Sequence, residues 1–326
     1  MAVKIGVMSF AHMHAYAYTA AVCKLPEARL VGIADHDPDR GREMAEKFET
    51  RFIPSYQELL KEDIDAVIVT SENCMHKELT IMAAEAGKHV MCEKPISTNV
   101  EDAKAMIDAC RKNNVQLMTA FPCRYSPAVI KAREAILAGR IGEVLSIKGT
   151  NHGKMPGGWF IDKAKSGGGA VIDHTVHVAD LMRWILESEP SEVYAEISNA
   201  MFHDKYDDCG MLSITFENGV FSTLDTSWTR PKSFPTWGDV TMSILGTEGV
   251  IEVDLFAQSF SLYSDKDMAA MWPGWGDNTD YWLVKDFVSA VAEGRPVSIT
   301  GEDGLAALAV ALAAYKSSDA KASVKV

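Results

Sequence analysis

The sequence contains no Cys-x-x-Cys pair: its six cysteines, Cys23, Cys74, Cys92, Cys110, Cys123 and Cys209, are scattered singly. That spacing argues against a zinc ribbon and against a disulfide framework. No apolar run approaches the about 20 residues of a membrane span. The opening Met-Ala-Val-Lys-Ile-Gly lacks the basic and apolar regions of a secretion signal, so a reduced, cytoplasmic protein is expected. A basic block is missing too: 32 Lys and Arg stand against 45 Asp and Glu, a net charge of −13. Nucleic acid is therefore not an expected partner, since phosphate binding needs clustered cations. Nine histidines are present, but His12 and His14 have no carboxylate cluster beside them in sequence, so no metal site is expected. Internal repeats and low-complexity tracts are also missing.

What is present is an ordinary globular composition, 47% apolar and 24% charged over 326 residues, enough for two domains with real cores. Over 1–121, short apolar runs alternate with helical patterns. Strands are expected at Val3–Met8, Leu30–Ala34, Ala66–Thr70, His89–Cys92 and Gln116–Ala120. Helices are expected at Ala15–Leu25, Pro38–Phe48, Lys77–Ala86 and Asn99–Asn113, the last capped by Thr98 or Asn99. Such alternation means βαβ units and a parallel sheet, an α/β Rossmann domain. After Phe121 the pattern changes. A helix at Ala128–Ala138, a strand at Val144–Gly149 and a long helix at Ala170–Leu186 precede closely spaced strands at Glu192–Asn199, Met211–Glu217, Val220–Thr229, Val240–Leu245 and Val250–Asp254. A final helix follows at about 304–316. Residues 122–326 thus read as an α+β substrate-binding domain with a large, mostly antiparallel open sheet. One helix can cover only one face of that sheet. A homodimer or homotetramer through the other face is expected.

In the first domain, the turn after the first strand is Gly6-Val7-Met8-Ser9-Phe10-Ala11-His12-Met13-His14. A dinucleotide fold favours glycines here, so that the backbone approaches the pyrophosphate at a helix N-terminus. Ser9, Ala11 and His14 occupy the three slots, and none is glycine. Asp35 ends the second strand, where a carboxylate binds the adenosine ribose hydroxyls and repels a 2′-phosphate. NAD is therefore expected ahead of NADP. Ser71 and Asn73, at the mouth of the third strand, are candidates for phosphate or ribose contacts, and His76 either joins them or caps and packs its helix.

The run Cys92-Glu93-Lys94-Pro95 ends the fourth strand. With Phe121-Pro122-Cys123-Arg124-Tyr125-Ser126-Pro127, Gly167-Gly168-Gly169-Ala170-Val171-Ile172-Asp173-His174-Thr175-Val176-His177 and Gly301-Glu302-Asp303-Gly304, in that order, the chain resembles the glucose–fructose oxidoreductase, inositol dehydrogenase and MocA (Gfo/Idh/MocA) family. The resemblance implies a Rossmann domain followed by an open-sheet α/β domain, often in dimers or tetramers, a nicotinamide cofactor and polyhydroxylated substrates. It also implies a catalytic trio, matched here by Lys94, Asp173 and His177. Pro122 stands where many members carry Asn, a departure beside that of the glycine slots. Cofactor-binding candidates are Ser9, Phe10, Ala11, His12, Met13, Asp35, Thr70, Ser71, Asn73, His76, Glu93, Lys94 and Arg124.

Removing a hydride from a secondary alcohol needs a base for the hydroxyl proton, and imidazole suits that role near neutrality. Asp173 and His177, at i and i+4, share one helix face. His177 is the expected base, and Asp173 holds a substrate hydroxyl or orients His177. Lys94 donates to the reacting oxygen or itself moves the proton. The triple glycine lets the chain bend closely around a ligand. His152, Lys154 and Trp159, in the Gly-rich stretch 151–160, are expected substrate contacts with Lys94, Asp173 and His177. The Trp-rich stretch 271–276 is a candidate second aromatic wall. The leading expectation is an NAD-dependent dehydrogenase or reductase acting on a sugar or cyclic polyol. Two alternatives stay open: redox-assisted glycoside cleavage with tightly held NAD, and a non-enzymatic NAD-binding regulator.

Overall fold

The alternating apolar runs and helices build the first of two units into which the chain divides, comprising Met1–Pro122, Ala164–Gly167 and Thr279–Leu308. The computed structural model describes residues 2–257, 261–271 and 278–326. Strands β1 (Val3–Met8), β2 (Ala28–Ala34), β3 (Arg51–Ile53), β4 (Ala66–Val69), β5 (His89–Glu93) and β6 (Leu117–Ala120) form a parallel sheet in the order β3-β2-β1-β4-β5-β6. The central strands are buried along their length, so Ala66–Val69 reads as an unbroken apolar run. Helices α1 (His14–Lys24), α2 (Pro38–Lys47), α3 (Tyr56–Lys61), α4 (His76–Glu85) and α5 (Val100–Lys112) connect the strands. Asp37 caps α2 ahead of Pro38, and Asn99 caps α5 by accepting the Asp102 amide at 2.8 Å. Gly87 adopts φ +73° just beyond α4, a left-handed turn that ends the helix. The short β3 and α3 are additions to the sequence expectation, and so is a helix at Thr279–Glu293 that packs on α1.

The second unit comprises Cys123–Lys163, Gly168–Asn278 and Ala309–Val326. It holds α6 (Pro127–Leu137), β7 (Val144–Gly153), α7 (Ala170–Leu186), β8 (Pro190–Ser198), β9 (Cys209–Phe216), β10 (Phe221–Ser227), β11 (Gly238–Gly246), β12 (Gly249–Asp254) and a small hairpin, β13 (Leu262–Ser264) and β14 (Ala269–Met271). The helix Thr279–Glu293 of the first unit is α8, and α9 (Gly301–Ala320) gives its residues from Ala309 onward to the second unit, followed by β15 (Val324–Lys325). The large sheet runs β12-β11-β7-β10-β9-β8-β15, and β7–β10 is its one parallel pair.

Period-two alternation splits this sheet into two faces. Ile147, Val193, Ala195, Leu212, Ile214, Leu224, Val240, Met242 and Ile244 turn inward with Val178, Leu181, Met182 and Ile185 of α7 in one core. Gly149 marks one place where α7 presses on the sheet: a Cβ there would sit 2.8 Å from both Met182 Cε and Val178 Cγ1. The outward positions mix Ser, Thr and charged residues with exposed Tyr194, Met211, Phe221, Leu245 and Val250. Among the described residues, no helix is long and apolar enough to cross a membrane.

Candidate active-site residues

In the first unit, the β1–α1 turn is held without glycine. Ser9 adopts φ +77°, a conformation that normally favours glycine, and its hydroxyl accepts the Ala11 amide at 3.1 Å. Its own amide donates to Ala34 O at 2.7 Å, and the His12 amide to Thr70 O at 2.9 Å. Thr70 returns a hydroxyl bond to Ser9 O at 2.8 Å, which makes it a brace of the turn. Met13 opens α1 with no cap bond from its own side chain and lies on the surface, and His12 Nδ1 accepts the amide of His14, the first residue of the helix, at 3.1 Å.

Asp35 is placed as expected at the end of β2, but its side chain is fully buried and committed within the protein. It accepts the Phe10 amide at 2.6 Å, the Asp37 amide at 2.9 Å, and a two-pronged bond from Arg40 at 2.9 and 2.6 Å. Arg40, absent from the sequence expectation, thus covers the carboxylate that was to meet the ribose.

At the mouths of β4 and β5 the roles also divide. Asn73 donates to Ser166 O at 2.9 Å, and the Ser71 hydroxyl donates to Glu72 O at 3.2 Å. His76 is buried between Pro95 O at 3.0 Å and Ser71 O at 3.3 Å, and burial lowers its pKa. It braces two turns against each other, the packing role of the two expected for it. The Lys94–Pro95 peptide is cis, and Lys94 is almost entirely buried. Glu93, also buried, faces His14 at 3.3 Å. Burial pushes the Glu93 carboxyl up, but His12, His14 and Lys94 outweigh it and hold the group well below the usual carboxylate range. Burial likewise opposes charging of His14, and Glu93 overrides it, raising the imidazole. His12, His14 and Glu93 offer ligand atoms all within 4.8 Å of one another. The carboxylate partner that the His12–His14 pair lacks in sequence comes from β5.

In the second unit, α7 carries Asp173 and His177 one turn apart, both about 8% exposed. Trp228 donates its indole N–H to Asp173 Oδ2 at 2.9 Å, and His174 Nε2 lies 3.3 Å from the same oxygen. His174 Nδ1 meets Asn151 O at 3.1 Å, a supporting role. His177 Nδ1 lies 3.8 Å from Cys123 Sγ. One further turn along, Asp180 forms a buried two-pronged ion pair with Arg124 at 2.7 and 2.5 Å. Arg124 therefore anchors its own segment to α7.

The triple glycine serves packing in place of ligand wrapping. A Cβ on Gly169 would lie 2.1 Å from Asp207 O, and one on Gly168 would lie 2.3 Å from Tyr315 Oη. Asp207 caps α7 from outside by accepting the Gly169 and Val171 amides at 2.9 and 2.7 Å, and Tyr315 donates to it at 2.9 Å.

His152 corrects the expectation of a loop. β7 continues to Gly153, where β10 and β11 flank it, and the pleat turns His152 to the outward face, away from α7. There it bonds Asp239 at 2.8 Å and Asp225 at 3.2 Å, and Arg230 completes the cluster by pairing with Asp239. The hydrogen bond to Asp239 is the main cause of a raised His152 pKa. His152, Arg230 and Asp239 line a cavity of about 500 Å³ with Phe234 and Phe256. Lys154 bridges to Thr229 beyond β7, and Trp159 stacks on Phe160, ring centroids 4.0 Å apart. The possible second aromatic wall, Trp272–Gly276, lies outside the described residues.

Arg40 in the first unit, and Asp180, Trp228, Cys123 and Asp207 in the second, are the neighbours that sequence reasoning missed. Only Asp180 carried a local signal, at i+7 from Asp173 on the same helix face.

Comparisons place these residues among known proteins. Residues 3–121 match the model described as oxidoreductase family, NAD-binding Rossmann fold, and residues 129–252 match the GFO/IDH/MocA C-terminal domain. A myo-inositol 2-dehydrogenase of Thermotoga maritima is 29% identical over 93% of this chain and 92% of its own length. A 1,5-anhydro-D-fructose reductase of Ensifer adhaerens is 33% identical over 81% of this chain and 80% of its own. Among solved structures, GenD2 from gentamicin A biosynthesis, in complex with NAD, superposes with a TM-score of 0.92 at 25% identity, covering 100% of this chain and 96% of that one. A levoglucosan dehydrogenase in complex with NADH and levoglucosan gives 0.87 at 27% identity, with 100% of each chain covered.

Proposed function

We propose, from the fact that this chain belongs to the Gfo/Idh/MocA family of NAD-binding oxidoreductases, that it moves a hydride between NAD and a secondary hydroxyl or keto carbon of a sugar or cyclic polyol. The first unit, built mainly from residues 1–122, supplies the dinucleotide half, and the second unit supplies the substrate half. The relatives named for inositol, anhydrofructose and levoglucosan chemistry support that substrate class.

The observation that carries the reading is the Asp173–His177 pair on one face of α7, with Asp173 held by a buried indole. The first unit fits a dinucleotide: a tight turn closed by Ser9 and Thr70, small Ala11, and the N-terminus of α1 directly after that turn. NAD, when bound, supplies the hydride acceptor or donor. Lys94 hydrogen-bonds the reacting oxygen and stabilises its developing charge. His177 takes the hydroxyl proton in oxidation and returns it in reduction, sharing proton transfer with Lys94. Asp173 holds a neighbouring hydroxyl or orients His177. NAD is preferred to NADP because Asp35 keeps a negative charge at the end of β2, although Arg40 offsets it.

The test is a screen of monosaccharides, inositols and glycosides with NAD and NADP side by side, followed by nicotinamide absorbance. Lys94→Ala and His177→Ala should each lower kcat/KM by about 10²–10⁴. Turnover unchanged in both variants would remove the catalytic assignment and favour a regulatory NAD-binding protein.

The outward sheet face is the proposed contact of a homodimer or homotetramer. Met211 is 62% and Phe221 56% exposed there, more apolar surface than a water-facing strand needs. Phe221→Glu should shift the protein toward monomer in light scattering behind size exclusion; an unchanged mass would rule out this face.

A further inference from the structure

We propose that His12, His14 and Glu93 form a site for a borderline divalent cation, Zn²⁺ by its chemistry, and that filling it excludes the dinucleotide. The three residues come from the β1–α1 turn, the start of α1 and the end of β5, all within the first unit. Their ligand atoms lie within 4.8 Å of one another, close enough to converge on one ion after small side-chain movements. The rings of His12 and His14 stand edge to face with centroids 4.5 Å apart. Glu93 is fully buried, and its Oε2 has no hydrogen-bond partner among the described residues. A buried ionised oxygen left unpaired asks for a cation or donor at that point. The set of two imidazoles and one carboxylate suits Zn²⁺, Co²⁺ or Ni²⁺ and disfavours Mg²⁺ and Ca²⁺, which prefer all-oxygen shells.

Two neighbours shape the site. The His14 amide donates to His12 Nδ1 at 3.1 Å, which aims the ring. Coordination through His12 Nε2 moves the ring proton to Nδ1 and gives up that one backbone bond, with no net proton change. Tyr18 places its hydroxyl 3.4 Å from His14 Nδ1 and is within reach of a fourth position. The ion would occupy the turn and helix start that a pyrophosphate needs, so the two ligands compete; this part rests on the dinucleotide reading.

The experiment uses the full chain, stripped with a chelator. Co²⁺ titration should give visible d–d bands at one ion per chain, and Zn²⁺ should displace it, read also by calorimetry. His14→Ala and Glu93→Gln should each weaken the metal at least tenfold while circular dichroism stays that of the parent. Saturating Zn²⁺ should weaken NAD binding at least tenfold, read by fluorescence. The proposal is overturned if the parent chain binds no Co²⁺ at one equivalent, if both folded variants bind as the parent does, or if NAD affinity ignores the metal. Failure of NAD to bind the stripped protein would instead count against the dinucleotide reading and against competition, while the Co²⁺ spectrum still decides the site.

Discussion

Arg124 and Asp180 are both nearly inaccessible to solvent, 6% and 0% exposed at the side chain. Removing one partner of such a pair leaves the other charged and buried, at about 3–5 kcal/mol. Asp180→Asn should therefore destabilise the protein strongly, measured by urea denaturation, and a loss below about 1 kcal/mol would deny the pair its structural weight. His152 and Asp239 make a pH-dependent pair on the outward sheet face. Asp239 is lowered to about 2, against burial, by His152 and Arg230. Its contribution is full above its unfolded value and is lost as pH falls through about 2. His152 is raised, so its contribution is full below the unfolded value of about 6.5 and fades as pH rises through the folded value. The pair contributes most in mildly acidic solution. Between mildly acidic and mildly alkaline pH, the parent Tm should fall relative to that of His152→Gln; parallel curves would refute the linkage.

At the scale of elements, α7 is fixed at both its start and its flank. Asp207→Ala removes two amide acceptors from the helix N-terminus and should cost about 1–2 kcal/mol in urea denaturation. Gly149→Val should cost about 1–3 kcal/mol, because Met182 Cε can move but Val178 Cγ1 is fixed by its helix. Gly149→Val at parent stability would mean that α7 does not press on β7. The βα alternation and the outer strands are legible from apolar runs and turns, since those patterns reflect burial directly. His152 is not: Asn151-His152-Gly153 looks like a loop, and only neighbours β10 and β11 extend the strand through it. The helix Thr279–Glu293 has the right spacing, with Leu283, Val284, Phe287 and Val288 buried, yet the sequence expectation holds no helix there. Asp173 and His177 are legible as a pair because an i, i+4 spacing is local. Trp228, Cys123 and Glu93 as their groups' partners are not, because each arrives from a distant strand or turn.

For the whole molecule, the first unit draws on three separated stretches of chain. During synthesis, its parallel sheet can pair once residue 120 has emerged, but the helix that lies on α1 arrives only with Thr279–Glu293. Until then the covered flank of α1, next to the dinucleotide turn, faces solvent or a chaperone. A nascent chain stalled on the ribosome before residue 279 should thus bind nucleotide weakly, and an assembly line that releases it early would produce a cofactor fold with an open side.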